Sequence, residues 1–214
     1  MRKLVLGMSI SLDGFVAGPN GEADWIFRNR GADSTEWGFN TLRQAGAHAM
    51  GSRSFYDMAA FWPYSDLPVA PLMNDIPKIV FSRNGIKDGA QAHIPTRALA
   101  DATKALIGDQ QRVTPTAAVL RSWAEPTVAC GDLVEEVARL KEQPGDFILA
   151  HGGARFAQSL VAAGLIDEYR LIVHPVALGR GLPLFSGLPR PLTLRLVSRV
   201  SFGSGAVGEV YRVA

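Results

Sequence analysis

Residues 146–185, DFILAHGGARFAQSLVAAGLIDEYRLIVHPVALGRGLPLF, carry the densest run of structural signals in the chain. Phe147, Ile148, Leu149 and Ala150 form an apolar run of the length of a buried strand. It stops at His151, and Gly152-Gly153 follow at once. Residues 154–163 predict a helix with Phe156, Leu160 and Val161 on one face, and Gly164 stands where such a helix would stop. Residues 167–174 predict a second strand, rich in Ile, Val, Leu and Tyr. A strand, glycine turn, helix and strand in that order read as a parallel crossover.

Two residues without Cβ atoms let backbone approach a bulky group closely. The following helix aims its free N–H groups and positive dipole end at the same place, which suits a phosphate. The alternative is that Gly152-Gly153 make nothing more than a tight turn, since a glycine doublet is far weaker than a full dinucleotide fingerprint.

The chain has 214 residues, 47% hydrophobic and 20% charged, enough for one sizeable core and most simply one domain. A formal net charge of +2 with scattered basic residues argues against a nucleic-acid partner. The single cysteine, Cys130, allows no intrachain disulfide, and its apolar neighbours predict a buried structural thiol in a reducing compartment. The opening segment is too short and too polar for a signal peptide, and no apolar run reaches membrane-spanning length. The expectation is a soluble, cytoplasmic protein with no membrane partner.

Outward from the central unit, residues 4–10 predict an interior strand, with Phe15-Val16-Ala17 continuing it briefly. Asp33 or Ser34 would cap a helix that begins near Thr35. Residues 45–50 predict a short strand ended by Gly51, 52–61 a helix stopped by Trp62-Pro63, and 78–81 another buried strand. Residues 86–123 carry little signal beyond a helix at 98–107 and read as an inserted surface excursion. Residues 126–130 predict a strand, and 131–141 a helix with Leu133, Val134, Val137 and Leu140 at core spacing. Residues 192–202 and 206–213 alternate apolar and polar around Gly203-Ser204-Gly205, which makes a hairpin. The fold class expected is α/β: a mixed sheet, mostly parallel, with an antiparallel C-terminal hairpin and helices on both faces.

Three turns stand at predicted strand C-termini: Gly51-Ser52-Arg53-Ser54, Ser82-Arg83 and Gly152-Gly153. Ligands of open α/β sheets bind outside those ends. Guanidinium forks beside hydroxyls suit the phosphates of a nucleotide, although Arg53 and Arg83 singly read equally well as solvated surface residues.

Taken with the opening KLVLGMSISLDGFVAGPNG, the GSRSF turn, the VFSR strand end, GDLVEEVARLKEQPG and the closing hairpin, the chain resembles the dihydrofolate-reductase-like superfamily. The branch is that of the C-terminal reductase domain of bacterial riboflavin biosynthesis. The resemblance covers nearly the whole chain, 1–214, apart from 86–123. It implies hydride transfer from NADPH to a small heterocyclic substrate, pyrimidine- or pterin-like, without flavin or metal. It implies that Gly51, Ser52, Arg53 and Ser54 hold cofactor phosphates. Ser82 and Arg83 would face the adenosine 2′-phosphate, and Gly152, Gly153, Ala154 and Arg155 would cradle the pyrophosphate. Ser11, Leu12 and Asp13 would line the site near the nicotinamide, and family members suggest a homodimer formed through 167–174 and the closing hairpin.

Dihydrofolate reductases carry an acid on the first helix. The matching position here is Thr35, with Glu36 adjacent; a slip of one residue would place Glu36 in the pocket as an acid assisting protonation. The alternative is that Glu36 is a first-turn helix acid. Asp13 reads as a substrate contact and acid candidate or as a loop cap, and Trp25 as a core or pocket-wall aromatic that suits a flat heterocycle. His48, His93, His151 and His174 have no metal-ligand spacing. With one cysteine, the chain lacks the zinc motif of the deaminase that often accompanies this reductase. The rival reading is a nucleotide-binding paralogue without chemistry, acting as a sensor or stress protein.

Overall fold

The computed structural model describes residues 1–86, 94–106 and 112–214. The strands are β1 (Leu4–Ser11), β2 (Phe15–Ala17), β3 (Ala47–Gly51), β4 (Lys78–Phe81), β5 (Thr127–Ala129), β6 (Ile148–Ala150), β7 (Glu168–His174), β8 (Leu182–Pro183), β9 (Leu194–Ser201) and β10 (Val207–Val213). The helices are α1 (Asp24–Arg28), α2 (Ala32–Arg43), α3 (Ser52–Phe61), α4 (Ala70–Asp75), α5 (Arg97–Leu106), α6 (Ala117–Ala124), α7 (Leu133–Glu142) and α8 (Ala154–Ala162). Among the described residues the main sheet runs β5-β4-β3-β6-β1-β7-β10-β9, and β2 pairs with β8 in a separate ribbon. From β5 to β7 neighbouring strands are parallel, whereas β10 is antiparallel to both β7 and β9.

β1 is central because it is apolar on both faces. Leu4, Val5 and Leu6 are all buried, and β6 and β7 pair with it on either side. The crossover through α8 therefore joins two strands separated by β1 rather than neighbours. On α8 the buried side chains are Ala157, Leu160 and Val161, while Phe156 is half-buried and packs on Phe81 with ring centroids 5.0 Å apart. On α7, Val137 and Leu140 are buried, but Val134 is exposed. The Asp132 carboxylate caps that helix through Val134 and Glu135 N–H.

Several expectations change. α2 starts at Ala32 with Gly31 as its cap residue; the Ser34 hydroxyl accepts the Gly31 N–H at 3.0 Å and donates back to the Gly31 carbonyl at 3.0 Å. Asp33 is not free to cap, because it accepts the Gly203 N–H at 2.7 Å and pins the hairpin turn to the helix. Cys130 is exposed rather than buried, because β5 is a sheet edge and even its Val128 is 38% exposed. Within 86–123 most described residues are exposed, but Asp101 and Trp123 are buried. Trp123 on α6 is buried in a cluster with Phe55 and Val80, and its indole N–H donates to Asn74 Oδ1 at 2.8 Å. Asp101 on α5 is buried and accepts the Ala23 N–H at 2.9 Å. Residues 87–93 and 107–111, including His93, lie outside the described residues.

Candidate active site

The C-terminal ends of the parallel strands converge on one rim of the sheet, as their shared direction requires. Two of the three predicted turns meet there. A Cβ built on Gly153 would lie 2.6 Å from Ser54 Oγ, so the glycine turn after β6 touches the first turn of α3. Gly153 has φ +111°, a conformation that favours glycine. A Cβ on Gly51 would meet Phe156 Cβ at 3.4 Å, which packs the start of α8 against the end of β3. Ser82 and Arg83 follow on the next strand, with Arg83 exposed. The Ser82 hydroxyl donates to the carbonyl of Gly85, within its own turn, at 2.5 Å. Arg53 and Arg155 are exposed at the same rim.

The helices that start at this rim, like α1 and α4, carry no side-chain cap. Neither α3 nor α8 has a side chain hydrogen-bonded to its first turn, whereas Thr116 caps α6 and Asp132 caps α7. Two side-chain-free N-termini, brought together by glycines, leave N–H donors aimed at one place. Gly51–Ser54 and Gly152–Arg155 thus fit a phosphate-bearing cofactor by shape and by charge.

Beside the rim lies a cavity of about 380 Å³ between α2 and the sheet. Strand alternation puts Gly7, Ser9, Leu149, His151, Ile172 and His174 on the sheet face that forms its floor. Gly7 sits mid-strand, where a Cβ would press on Leu149 Cδ1 at 3.1 Å. Phe27, Leu42 and Trp62 make apolar walls, and Ala102 and Leu106 of α5 close one side. No part of the signal-poor 86–123 stretch predicted that wall. Such a cavity, apolar with a few polar points, suits a flat ring.

Thr35 borders this cavity and its hydroxyl accepts from Arg30 Nε at 2.9 Å. Glu36 does not slip into its place. It is exposed and pairs with Arg43 at 2.6 Å; it stands in the second turn of α2, whose first-turn acid is Asp33. Ser11 and Asp13 are consumed by the loop: the buried Ser11 hydroxyl donates to Asp13 at 2.6 Å and accepts the Phe15 N–H at 2.9 Å. Asp13 also accepts Leu178 N–H at 3.1 Å and Gly179 N–H at 2.7 Å. The Ser11 hydrogen bond first, and these backbone bonds after it, hold its carboxyl below the usual range, so Asp13 is a loop clamp and a poor acid. Trp25 is buried and does not line the cavity; its ring is edge-on to His174 with centroids 5.4 Å apart. Among the described residues the cavity wall contains no carboxylate.

Sequence spacing gave no sign of two histidine contacts. His151 Nε2 lies 2.8 Å from His48 Nδ1, across adjacent strands. His174 Nε2 lies 3.2 Å from Ser9 Oγ, and its Nδ1 is buried without a partner. Burial lowers the pKa of all three rings, that of His48 to about 4. Among the described residues no group of three or more His, Cys, Asp or Glu is placed to hold a metal ion, and no helix is long and apolar enough to cross a membrane.

This geometry has counterparts. Enterococcus faecalis dihydrofolate reductase complexed with NADP(H) superposes over 99% of this chain and 96% of its own, with a TM-score of 0.54 at 14% identity. A Thermotoga maritima diaminohydroxyphosphoribosylaminopyrimidine deaminase/5-amino-6-(5-phosphoribosylamino)uracil reductase superposes over 100% of this chain, with a TM-score of 0.61 at 16% identity. The chain spans 57% of that protein. These likenesses give the fold as dihydrofolate-reductase-like. In sequence, the Bacillus subtilis uncharacterized protein YyaP is 30% identical over 98% of this chain and 94% of its own length. The RibD C-terminal domain matches residues 2–207, and the chain belongs to that family.

Proposed function

We propose that this chain is an NADPH-dependent reductase of a small heterocycle. The observation that supports it is the pair of helix N-termini without side-chain caps, joined through Gly153 and Ser54 beside the apolar cavity. Gly51, Ser52, Arg53 and Ser54 bind one set of phosphates, and Gly152, Gly153, Ala154 and Arg155 the pyrophosphate. Ser82 and Arg83 face the 2′-phosphate. The cofactor supplies the hydride. The chain's own contribution is orientation and exclusion of water: the apolar walls hold the ring flat over Gly7, and the hydroxyls of Ser9 and Thr35 fix its rotation. With no carboxylate on the described cavity wall, the proton comes from one of these hydroxyls, an imidazole or water.

Titration with NADPH and NADH, followed by tryptophan quenching, is expected to give saturable binding that favours NADPH. Arg83→Ala is expected to weaken NADPH by about 10-fold or more while leaving NADH nearly unchanged, the effect of one charge-assisted phosphate contact. Equal effects on both would remove Arg83 from the 2′-phosphate. Tight binding without oxidation against a broad substrate panel would favour the non-catalytic paralogue.

We further propose that the chain pairs with a second copy through the closing hairpin; β7, also expected in that contact, is an interior strand between β1 and β10. β9 is the sheet edge, and Leu196 and Val200 on it are 47% and 41% exposed, with Val213 of β10 at 46%. An open apolar edge favours pairing with another strand. Light scattering is expected to give twice the chain mass, and Leu196→Lys to return it to the chain mass; a wild-type monomer rejects this interface.

A further inference from the structure

The contact between His48 and His151 fixes where their hydrogens lie. His48 Nε2 is 3.1 Å from the Leu72 carbonyl oxygen. A carbonyl only accepts, so Nε2 carries hydrogen and, in the neutral ring, Nδ1 is bare. His48 Nδ1 is 2.8 Å from His151 Nε2, and a contact of that length holds one hydrogen. That hydrogen belongs to His151 Nε2. Neither ring carries a second one: burial disfavours charge on both, Lys78, the cross-strand partner of His48, adds to this at His48, and His48 adds to it at His151. His151 is thus neutral with a bare Nδ1. It borders the cavity, and among the described residues no donor reaches that atom.

We propose that His151 Nδ1 is the acceptor that selects the ligand of this cavity, a flat heterocycle presenting an N–H or amino group there, and that His48 is the positioning residue that holds His151 in the accepting tautomer. This names a substrate class for the reductase reading and rests on the cavity being its substrate site. A ring that turns a carbonyl or bare nitrogen toward His151 meets a lone pair. His151 cannot reverse its tautomer to greet it, because His48 would have to give up its bond to Leu72. The other walls are mostly apolar, so few other polar contacts compensate. The arrangement runs from the backbone of Leu72, before β4, through β3 to the end of β6, three places far apart in sequence.

Long-range ¹H–¹⁵N spectra of the protein labelled at histidine nitrogen test the tautomers directly at pH 7. The expected pattern is a protonated Nε2 on both His48 and His151, with a bare-nitrogen shift for His151 Nδ1. A proton on His151 Nδ1 in the wild-type chain overturns the proposal. Two neutral probes of matched shape, 2-aminopyrimidine and 2-methylpyrimidine, test selection. The amino probe is expected to bind about 10-fold tighter and to move the His151 Nδ1 resonance. Equal affinity, or failure of both to bind, overturns it. His48→Leu is expected to erase the preference and to mix the two His151 tautomers. His48→Gln is expected to restore both, since its amide can accept from His151 and donate to Leu72. The NADPH titration is read separately: a chain that shows the probe preference but binds no NADPH keeps this selectivity and loses the reductase reading.

Discussion

Gly153→Val is expected to abolish NADPH and NADH binding alike, a loss of about 100-fold or more. Two effects combine. A non-glycine residue at φ +111° carries about 1–3 kcal/mol of backbone strain. Its Cβ would also lie 2.6 Å from Ser54 Oγ, and crowding of that kind costs about 1–3 kcal/mol unless the turn moves. Moving the turn relieves both but swings the first N–H groups of α8 away from those of α3. Either way the paired donors are lost, and at about 1.4 kcal/mol per tenfold the sum reaches two orders of magnitude. Gly164→Ala is the control. Gly164 also has positive φ, at +68°, but a Cβ there meets nothing within 4 Å and it lies at the far end of α8. It is expected to lose about 1 kcal/mol of stability and to bind both cofactors as before. Unchanged cofactor affinity in Gly153→Val would mean that the turn is not a phosphate cradle.

Glu168→Gln is expected to cost about 3 kcal/mol of folding stability at pH 7, read by urea denaturation. Glu168 opens β7 with its side chain 4% exposed, and it meets Arg170 Nε at 2.9 Å and Arg212 Nε at 3.0 Å, with Lys3 Nζ at 3.7 Å. The amide keeps the shape but leaves the largely buried Arg170 guanidinium and the more exposed Arg212 without their counter-charge. Arg170 also borders the cavity with its guanidinium 4.7 Å from the Phe147 ring centre, so the same change is expected to loosen the site floor. Burial pushes the Glu168 carboxyl up, but the hydrogen bonds from Arg170 and Arg212 outweigh it, and the net pKa lies below the ordinary 4.5. A folded-state pKa below the unfolded one gives stability that is fully present above the unfolded value and is lost as pH falls through the folded one. The gap between wild type and Glu168→Gln is therefore expected to hold from neutral pH down to about 5 and to narrow below that. A gap that stays constant through the acid range would mean that the ion cluster does not carry this stability.

Much of the scaffold was legible locally. Residues 52–61 and 78–81 read as a helix and a strand with the bounds that α3 and β4 have, because Gly51, Trp62-Pro63 and the turn after Phe81 are strong punctuation. The glycine turn was legible for the same reason. α6 was missed although Thr116 caps it, its hydroxyl accepting the Val119 N–H at 3.3 Å, because an eight-residue helix among prolines carries too few periods to register. Cys130 was misplaced because an apolar run looks the same in a central strand and in an edge strand.

Residue order alone was enough for most of the strand and helix alternation, though not for α1, α4, α6 or β8, and for the closing hairpin and the three turns at the strand ends. Each of these rests on backbone preferences and apolar periods that act over a few residues. Tertiary structure alone decided that Thr35 and not Glu36 borders the cavity, since a helix's rotation is set by what packs on it. It alone placed α5 as a wall, buried Glu168 among three cations, and set His48 against His151. Those contacts join residues up to 165 positions apart, as His174 and Ser9 are, and only strand order in the sheet brings such pairs within hydrogen-bond reach.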